Sequence, residues 1–152
     1  MSIPPVRTRA AQLEDLKAIV AFNLALARET EGLALQPAVV NEGVLAVLQD
    51  PAKGRYFVAE VEGRVVGQTL VTLEWSDWRN GWLWWLQSVY VDPAYRGRGV
   101  FRALYEHVRR EAIQAGARAL RLYVKTHNAR AQAVYRALGM EPAGYDVWET
   151  GV

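Results

Sequence analysis

The chain has 152 residues, 51% of them hydrophobic, and a formal net charge of +2. That is enough for one domain with its own core, residues 1–152, and it excludes a disordered or low-complexity chain. The absence of cysteine excludes a disulfide frame, a thiolate nucleophile and a zinc–thiolate site, and no apolar run approaches the ~18 residues needed to cross a bilayer.

The N-terminus lacks a basic start followed by an apolar segment, so no signal peptide is expected and the default location is cytoplasmic. After Pro4-Pro5, Val6 to Arg9 reads as a short strand. Glu14 and Asp15 then open a helix in which Leu13, Leu16, Val20, Leu24 and Ala27 form one stripe, ending near Glu31-Gly32. Pro37 is placed to start a second helix, with Val40, Val44, Val47 and Leu48 on its apolar side and Asp50-Pro51 closing it. Tyr56 to Val61 and Arg64 to Trp75 read as strands joined at Glu62-Gly63, and Asn80-Gly81 is the strongest turn signal before a strand from Trp82 to Val91. The remaining elements are a helix from Gly97 to Ala115, a strand from Ala119 to Lys125, a helix from Asn128 to Leu138 with Gly139 as its cap, and a final strand over Tyr145 to Glu149. Strands and helices alternate only in part. The expected class is therefore α+β, a three-layer α/β/α arrangement with a mixed, mostly antiparallel sheet of six to seven strands and about four helices on its two faces.

The stretch from Val89 to Val108 carries the chemistry. A strand ending in Val89, Tyr90 and Val91 stops at Asp92-Pro93, and Arg96-Gly97-Arg98-Gly99 leads into a helix with Phe101, Leu104, Tyr105, Val108 and Ala112 on one stripe. The glycines allow a backbone that other residues avoid. A helix start presents unpaired N–H groups and a positive dipole end. With Arg96, Arg98 and Arg102 added, the segment suits a phosphate or pyrophosphate, with donors from Gly97 to Arg102. It is neither a P-loop, which needs Gly-Lys-Ser/Thr, nor a dinucleotide fingerprint, whose third Gly is replaced by Arg102. Lys and Arg number seven against nine Asp and Glu up to Trp75, and eleven against seven beyond it, so basic charge gathers around this loop. The basic residues are not interleaved with a recognition element, and nucleic acid is not an expected partner.

Val91-Asp-Pro93 followed by Arg96-Gly97-Arg98-Gly99-Val100-Phe101 resembles the motif of the GNAT superfamily of N-acetyltransferases, Arg/Gln-x-x-Gly-x-Gly/Ala. A second match is Asn128, then seven residues on Tyr135, then Leu138-Gly139-Met140. The two lie in the family's order and cover roughly the C-terminal half. Phe101 departs from the usual Gly or Ala; it either narrows the cradle or, as its stripe favours, turns into the core.

The resemblance implies a GNAT-like fold and transfer of acetyl from acetyl-CoA to an amine. It implies pyrophosphate on the amides of Gly97 to Arg102, with Val100 and Phe101 inside that run. The pantetheine arm would lie along the edge of Val89 to Val91, held also by Asn128, and Tyr135 would be the acid at sulfur. Asn128 also suits a helix N-cap. The family often carries a Glu on the strand before the loop. Here that strand offers only Gln87 and Ser88 as polar side chains, so Glu29, Glu31 and Glu74 are the candidate bases. His107 is expected to face outward, and His127 precedes Asn128. No cluster has metal-ligand spacing. Trp75, Trp78, Trp82, Trp84 and Trp85 crowd one hairpin, and alternation cannot bury them all on one face; a homodimer interface or an aromatic acceptor wall would use the rest. A non-catalytic acyl-CoA sensor of the same fold is the competing reading.

Overall fold

The computed structural model describes residues 4–152. They form two compact units, a larger one that runs to Leu122 and a smaller one, Tyr123–Val152.

The larger unit is built on a five-stranded sheet in the order β1-β2-β3-β4-β5. The strands are β1 (Val6–Ala10), β2 (Arg55–Val61), β3 (Arg64–Ser76), β4 (Gly81–Val91) and β5 (Ala119–Leu122). The first four pair antiparallel and β5 joins β4 in parallel. The expected mixed, mostly antiparallel sheet is therefore present with five strands rather than six or seven. Tyr145 to Glu149 has the alternation of a strand but forms none. Its large side chains lie in the open, Trp148 at 92% exposure, and alternation without a neighbouring ladder does not make a strand.

Alternation along β2 assigns the helices to faces. Tyr56 and Val58 pack with Ile19 of α1 (Leu16–Glu31) and Val44 of α2 (Pro37–Gln49), with Leu16, Val20, Val40, Val47 and Leu48 closing around them. Phe57, between them in sequence, points the other way and meets the ring of His107 on α3 (Val100–Gln114), centroids 5.3 Å apart. α3 buries Val100, Leu104, Tyr105, Val108 and Ala112 on that second face, the predicted stripe with Val100 in place of Phe101 as its first fully buried member. Gly67 permits the close approach of α3: a Cβ there would stand 2.8 Å from Val100 Cγ1 and 3.5 Å from Leu104 Cδ1. The larger unit is thus three layers, with α1 and α2 on one face and α3 on the other.

Two details of α1 and α3 depart from the sequence expectations. Leu13 belongs to a 3-10 turn before α1 and is 54% exposed, whereas Ile19 is the fully buried residue of α1. His107 does not face outward: it is half-buried and shares a 2.8 Å hydrogen bond between its Nδ1 and Thr8 Oγ1 of β1. At the mouth of the first helical segment, Arg9 spans Asp15 and Glu60, with paired bonds of 2.7 and 3.0 Å to the two Asp15 oxygens. Burial pulls the Asp15 carboxyl upward, but the Arg9 guanidinium and the Gln12 amide outweigh it and hold its pKa below the ordinary 3.8.

The smaller unit contains α4 (Ala129–Ala137). Asn128 caps it, its Oδ1 accepting from the Ala131 amide at 3.0 Å. At the other end the amides of Gly139 and Met140 donate to the carbonyls of Arg136 and Tyr135 at 3.0 Å each, the paired bonds that close a helix on a left-handed glycine. Among the described residues, no helix is long and apolar enough to cross a membrane.

Candidate functional site

The loop from Arg96 to Gly99 is shaped by its glycines. Gly97 and Gly99 take φ of 76° and 79°, a left-handed backbone in which an L side chain is strained. A Cβ at either position would meet no atom within 4 Å, so the backbone angle demands glycine and the space beside the loop is open. These angles also explain why α3 starts at Val100 and not at Gly97. The amide of Ala103 is the first to bond back, to Gly99 O at 3.0 Å. The amides of Val100, Phe101 and Arg102 precede it, in the first turn of the helix. Before the loop, Asp92 Oδ1 accepts from the Ala94 amide at 2.9 Å and fixes the turn at Pro93.

The three arginines behave differently. Arg96 folds back: its Nε donates to Val91 O at 2.9 Å, its Nη2 to Glu29 Oε2 at 2.8 Å, and its guanidinium lies 5.2 Å from the Tyr90 ring centre. It ties the end of α1 to the loop. Arg98 lies 5.5 Å over the Tyr95 ring, and Arg102 is exposed on the first turn of α3. Phe101 is half-buried with its ring 6.3 Å from that of Tyr105, along α3.

Glu29 also accepts from Tyr90 Oη at 3.0 Å. The Arg96 bond is the main reason its pKa lies below the ordinary 4.5; burial works against it and the Tyr90 bond adds to it. A lowered pKa makes Glu29 a weaker proton acceptor and a firmer negative charge. The Tyr90 phenol is pushed up, first by burial and then by Glu29. Glu31 closes α1 on the exposed surface. Glu74 accepts from Trp85 Nε1 at 2.8 Å and lies 3.9 Å from Arg121.

Strand β4 runs on beyond its ladder with β5 and carries a bulge, which the sequence reading did not contain. Its ladder with β5 runs from Leu83 to Leu86, and Val89, Tyr90 and Val91 lie beyond it, so their edge on that side has no partner in the described sheet. Against β3, the register shifts between Gln68/Tyr90 and Leu70/Gln87. One residue of β3 there faces two of β4, a bulge at Ser88-Val89 with Ser88 at φ 50°. Side chains of β3 grip the bulge. Gln68 Nε2 donates to Ser88 O at 3.1 Å and to Asn23 Oδ1 at 2.8 Å, and Thr69 Oγ1 donates to Gln87 O at 3.1 Å. Asn23 Nδ2 donates to Tyr56 Oη at 3.1 Å. Burial pushes the Tyr56 phenol up, against hydrogen bonds with Asn23 and Ser88. Asn23, Tyr56, Gln68 and Ser88 were not singled out from sequence. The available signal was Gln87-Ser88, two adjacent polar residues that break the apolar run of β4.

In the smaller unit, Tyr135 is half-buried on α4 and burial pushes its phenol up. His127 is exposed in the segment before Asn128. Among the described residues, no group of three or more His, Asp or Glu is placed to hold a metal ion.

Residues 23–140 match the family model described as the acetyltransferase (GNAT) family. The chain belongs to the GNAT family. It is similar to thialysine N-epsilon-acetyltransferase of Bos taurus, 38% identical over 77 residues, which are 51% of this chain and 45% of that protein. It is also similar to the [ribosomal protein bS18]-alanine N-acetyltransferase of Escherichia coli K12, 41% identical over 58 residues, 38% of this chain and 39% of that one. The chain thus aligns with less than half the length of these curated relatives. A crystal structure of a possible acetyltransferase from Clostridium difficile 630 superposes with a TM-score of 0.90 at 42% identity, covering 97% of both chains. An aminoglycoside N-acetyltransferase in complex with CoA shares the fold, with a TM-score of 0.78 at 20% identity over 97% of this chain and 95% of that one.

Proposed function

We propose that this chain is a cytoplasmic N-acetyltransferase, acting as one domain, that moves the acetyl group of acetyl-CoA to a primary amine of a small molecule or a protein. The observation that carries the reading is the loop at Gly97 and Gly99, both left-handed and open, at the end of a strand whose edge beyond Leu86 has no β5 partner. The named relatives act on amino groups, one on thialysine and one on an alanine of a ribosomal protein, which supports an amine acceptor without choosing between the two kinds.

In the proposed reaction the diphosphate is held by the amides from Gly97 to Arg102, with Arg98 and Arg102 as exposed cations beside them. The arm pairs along Val89 to Val91, and Asn128 assists it. The acceptor ammonium loses one proton to water, and its nitrogen attacks the thioester carbon directly in a ternary complex. The carbon–sulfur bond breaks, the second proton on nitrogen passes through water to the departing thiolate, and CoA leaves as the thiol. Tyr135 serves at sulfur. A phenol titrates near ~10 and a thiol near ~8.5, and burial raises Tyr135 further, so Tyr135 stays protonated at neutral pH and stabilises the leaving thiolate as a hydrogen-bond donor. Glu29 and Glu31 supply negative charge that draws a cationic acceptor; Glu29, held by Arg96, acts as a counter-charge more than as a base.

Calorimetric titration with acetyl-CoA and CoA, followed by a free-thiol assay over a panel of amines, tests the reading. Binding with thiol release supports it, and no heat at millimolar ligand ends it. Tyr135→Phe is expected to lower turnover roughly 10- to 100-fold with CoA affinity nearly unchanged. A second reading, an acyl-CoA sensor, is favoured by one observation: the strand before the loop has Gln87 where a carboxylate would serve as base, and Glu29 and Glu74 are both already bonded. Tight acetyl-CoA binding with no thiol release from any amine selects it. We also propose a homodimer through the hairpin tip, where Trp75 and Trp82 stack edge-on at 5.1 Å and Trp78 is 91% exposed. A monomer mass by light scattering at micromolar concentration rejects the dimer.

A further inference from the structure

The side chain of Gln68 is fully buried at 0% exposure, both of its bonds use Nε2, and its Oε1 has no hydrogen-bond partner among the described residues. Leaving a buried carbonyl oxygen unpaired is unfavourable, because it loses its bonds to water and gains none. A methionine or leucine of similar size would avoid that cost. The Ser88 backbone adds strain, since a non-glycine residue at φ 50° sits in the left-handed region. Two unfavourable features meet at one peptide unit, and the Gln68 amide is what joins them.

The geometry of that peptide unit decides what the joining does. A trans peptide is planar, with its C=O and its N–H pointing in opposite directions. Gln68 holds the Ser88 carbonyl from the β3 side, so the Val89 N–H of the same unit points away from β3. The Thr69 hydroxyl holds the preceding carbonyl, Gln87 O, from β3 as well, which turns the Ser88 N–H the same way. On the side opposite β3, the β5 ladder has ended at Leu86. Two successive amides of the bulge are thereby aimed at the open edge of β4.

We propose that Gln68, supported by Asn23 and assisted by Thr69, is a positioning residue that aims the Ser88 and Val89 amides at the thioester carbonyl oxygen. The proposal rests on the acetyl-transfer reading above. Gln68 touches no substrate; it fixes the backbone of the bulge, and the two amides donate to the oxygen that becomes negative when nitrogen attacks. A single donor of this kind is worth roughly 10²–10³ in turnover. Asn23 matters because its Oδ1 takes the second Nε2 proton and keeps the amide of Gln68 from rotating. Asn23 is in turn anchored on Tyr56.

The test uses acetyl-CoA labelled with carbon-13 at the thioester carbonyl and infrared difference spectra of the bound ligand. In the wild type the carbonyl stretch falls below its value in free acetyl-CoA. In Gln68→Met more than half of that shift disappears and thiol release falls at least tenfold, while the Kd for CoA, which has no such carbonyl, changes less than about threefold. Asn23→Ser, which leaves Gln68 in place and loosens it, gives an intermediate shift and serves if the methionine variant does not fold. A wild-type-sized carbonyl shift in the variants overturns the proposal, as does a loss of CoA affinity equal to the loss of turnover. Absence of acetyl-CoA binding by the wild type overturns the acetyl-transfer reading itself. That failure is distinct, because it appears before any substitution is made.

Discussion

The two faces of the sheet use the same strands for opposite ends. Under α3 the face is mostly apolar: Phe57, Leu104 and Val108 are fully buried, Thr69 opposite Phe57 is a buried polar exception, and Thr8 and His107 sit at the β1 side in a mutual bond. Under α1 the apolar cluster of Ile19, Val44, Tyr56 and Val58 gives way, toward the bulge in β4, to Asn23, Gln68, Tyr56 Oη and Ser88. Buried polar atoms are costly unless paired. A protein that gathers a linked set of them around the bulge in β4 is using that region for more than cohesion. The comparison predicts that truncations under α3 cost stability, and that changes along the α1 side of β4 cost activity before they cost fold.

The largest effect on stability is expected from Leu104→Ala, at about 3 kcal/mol, read as a fall in the urea midpoint. A cost below about 1 kcal/mol would mean that the α3 face is loosely packed and the contrast is weaker than drawn. Asp15→Asn follows, at about 2 kcal/mol, because it leaves Arg9 with Glu60 as its one carboxylate and the Gln12 amide without its charged acceptor. The sign of its pH dependence is fixed. The folded pKa of Asp15 lies below 3.8, so its contribution is full above the unfolded pKa and is lost as pH falls through the folded one. The wild type therefore loses stability on acidification below about pH 5 more steeply than the asparagine variant; parallel curves would remove Asp15 from the account. Gly99→Ala forces an alanine to φ 79°, costing about 1–2 kcal/mol and lowering CoA affinity about tenfold; calorimetry of the variant reads both the fold and the cradle. The smallest effect is Glu29→Gln. Its pair with Arg96 is about 40% exposed, so unfolding changes by less than about 1 kcal/mol. KM for a cationic amine rises several-fold with kcat nearly constant. A collapse of kcat instead would make Glu29 a base.

The glycine loop was legible because its causes are local. Asp92-Pro93 makes the turn, two glycines take the left-handed angles, and the stripe from Leu104 to Ala112 follows directly in sequence. The same glycines delayed the helix by three residues, a detail that composition alone does not distinguish. Asn128 was readable as an N-cap for the same local reason. The grip on β4 was not legible. Gln68 and Ser88 are 20 residues apart and Asn23 and Gln68 are 45 apart, and no periodicity marks a bulge that depends on how two strands slip. His107 fell on the outward side of the helical count, yet Thr8 and Phe57 drew it in.

What the sequence determined by itself was the family and its loop, because turn chemistry, glycine angles and helix capping act over a few residues and survive any packing. The tertiary structure decided which carboxylate is tied to which arginine, how many strands find a partner, and where β4 departs from its ladder. Those depend on groups brought together from distant parts of the chain, and only a folded sheet puts Gln68 against the carbonyl of Ser88.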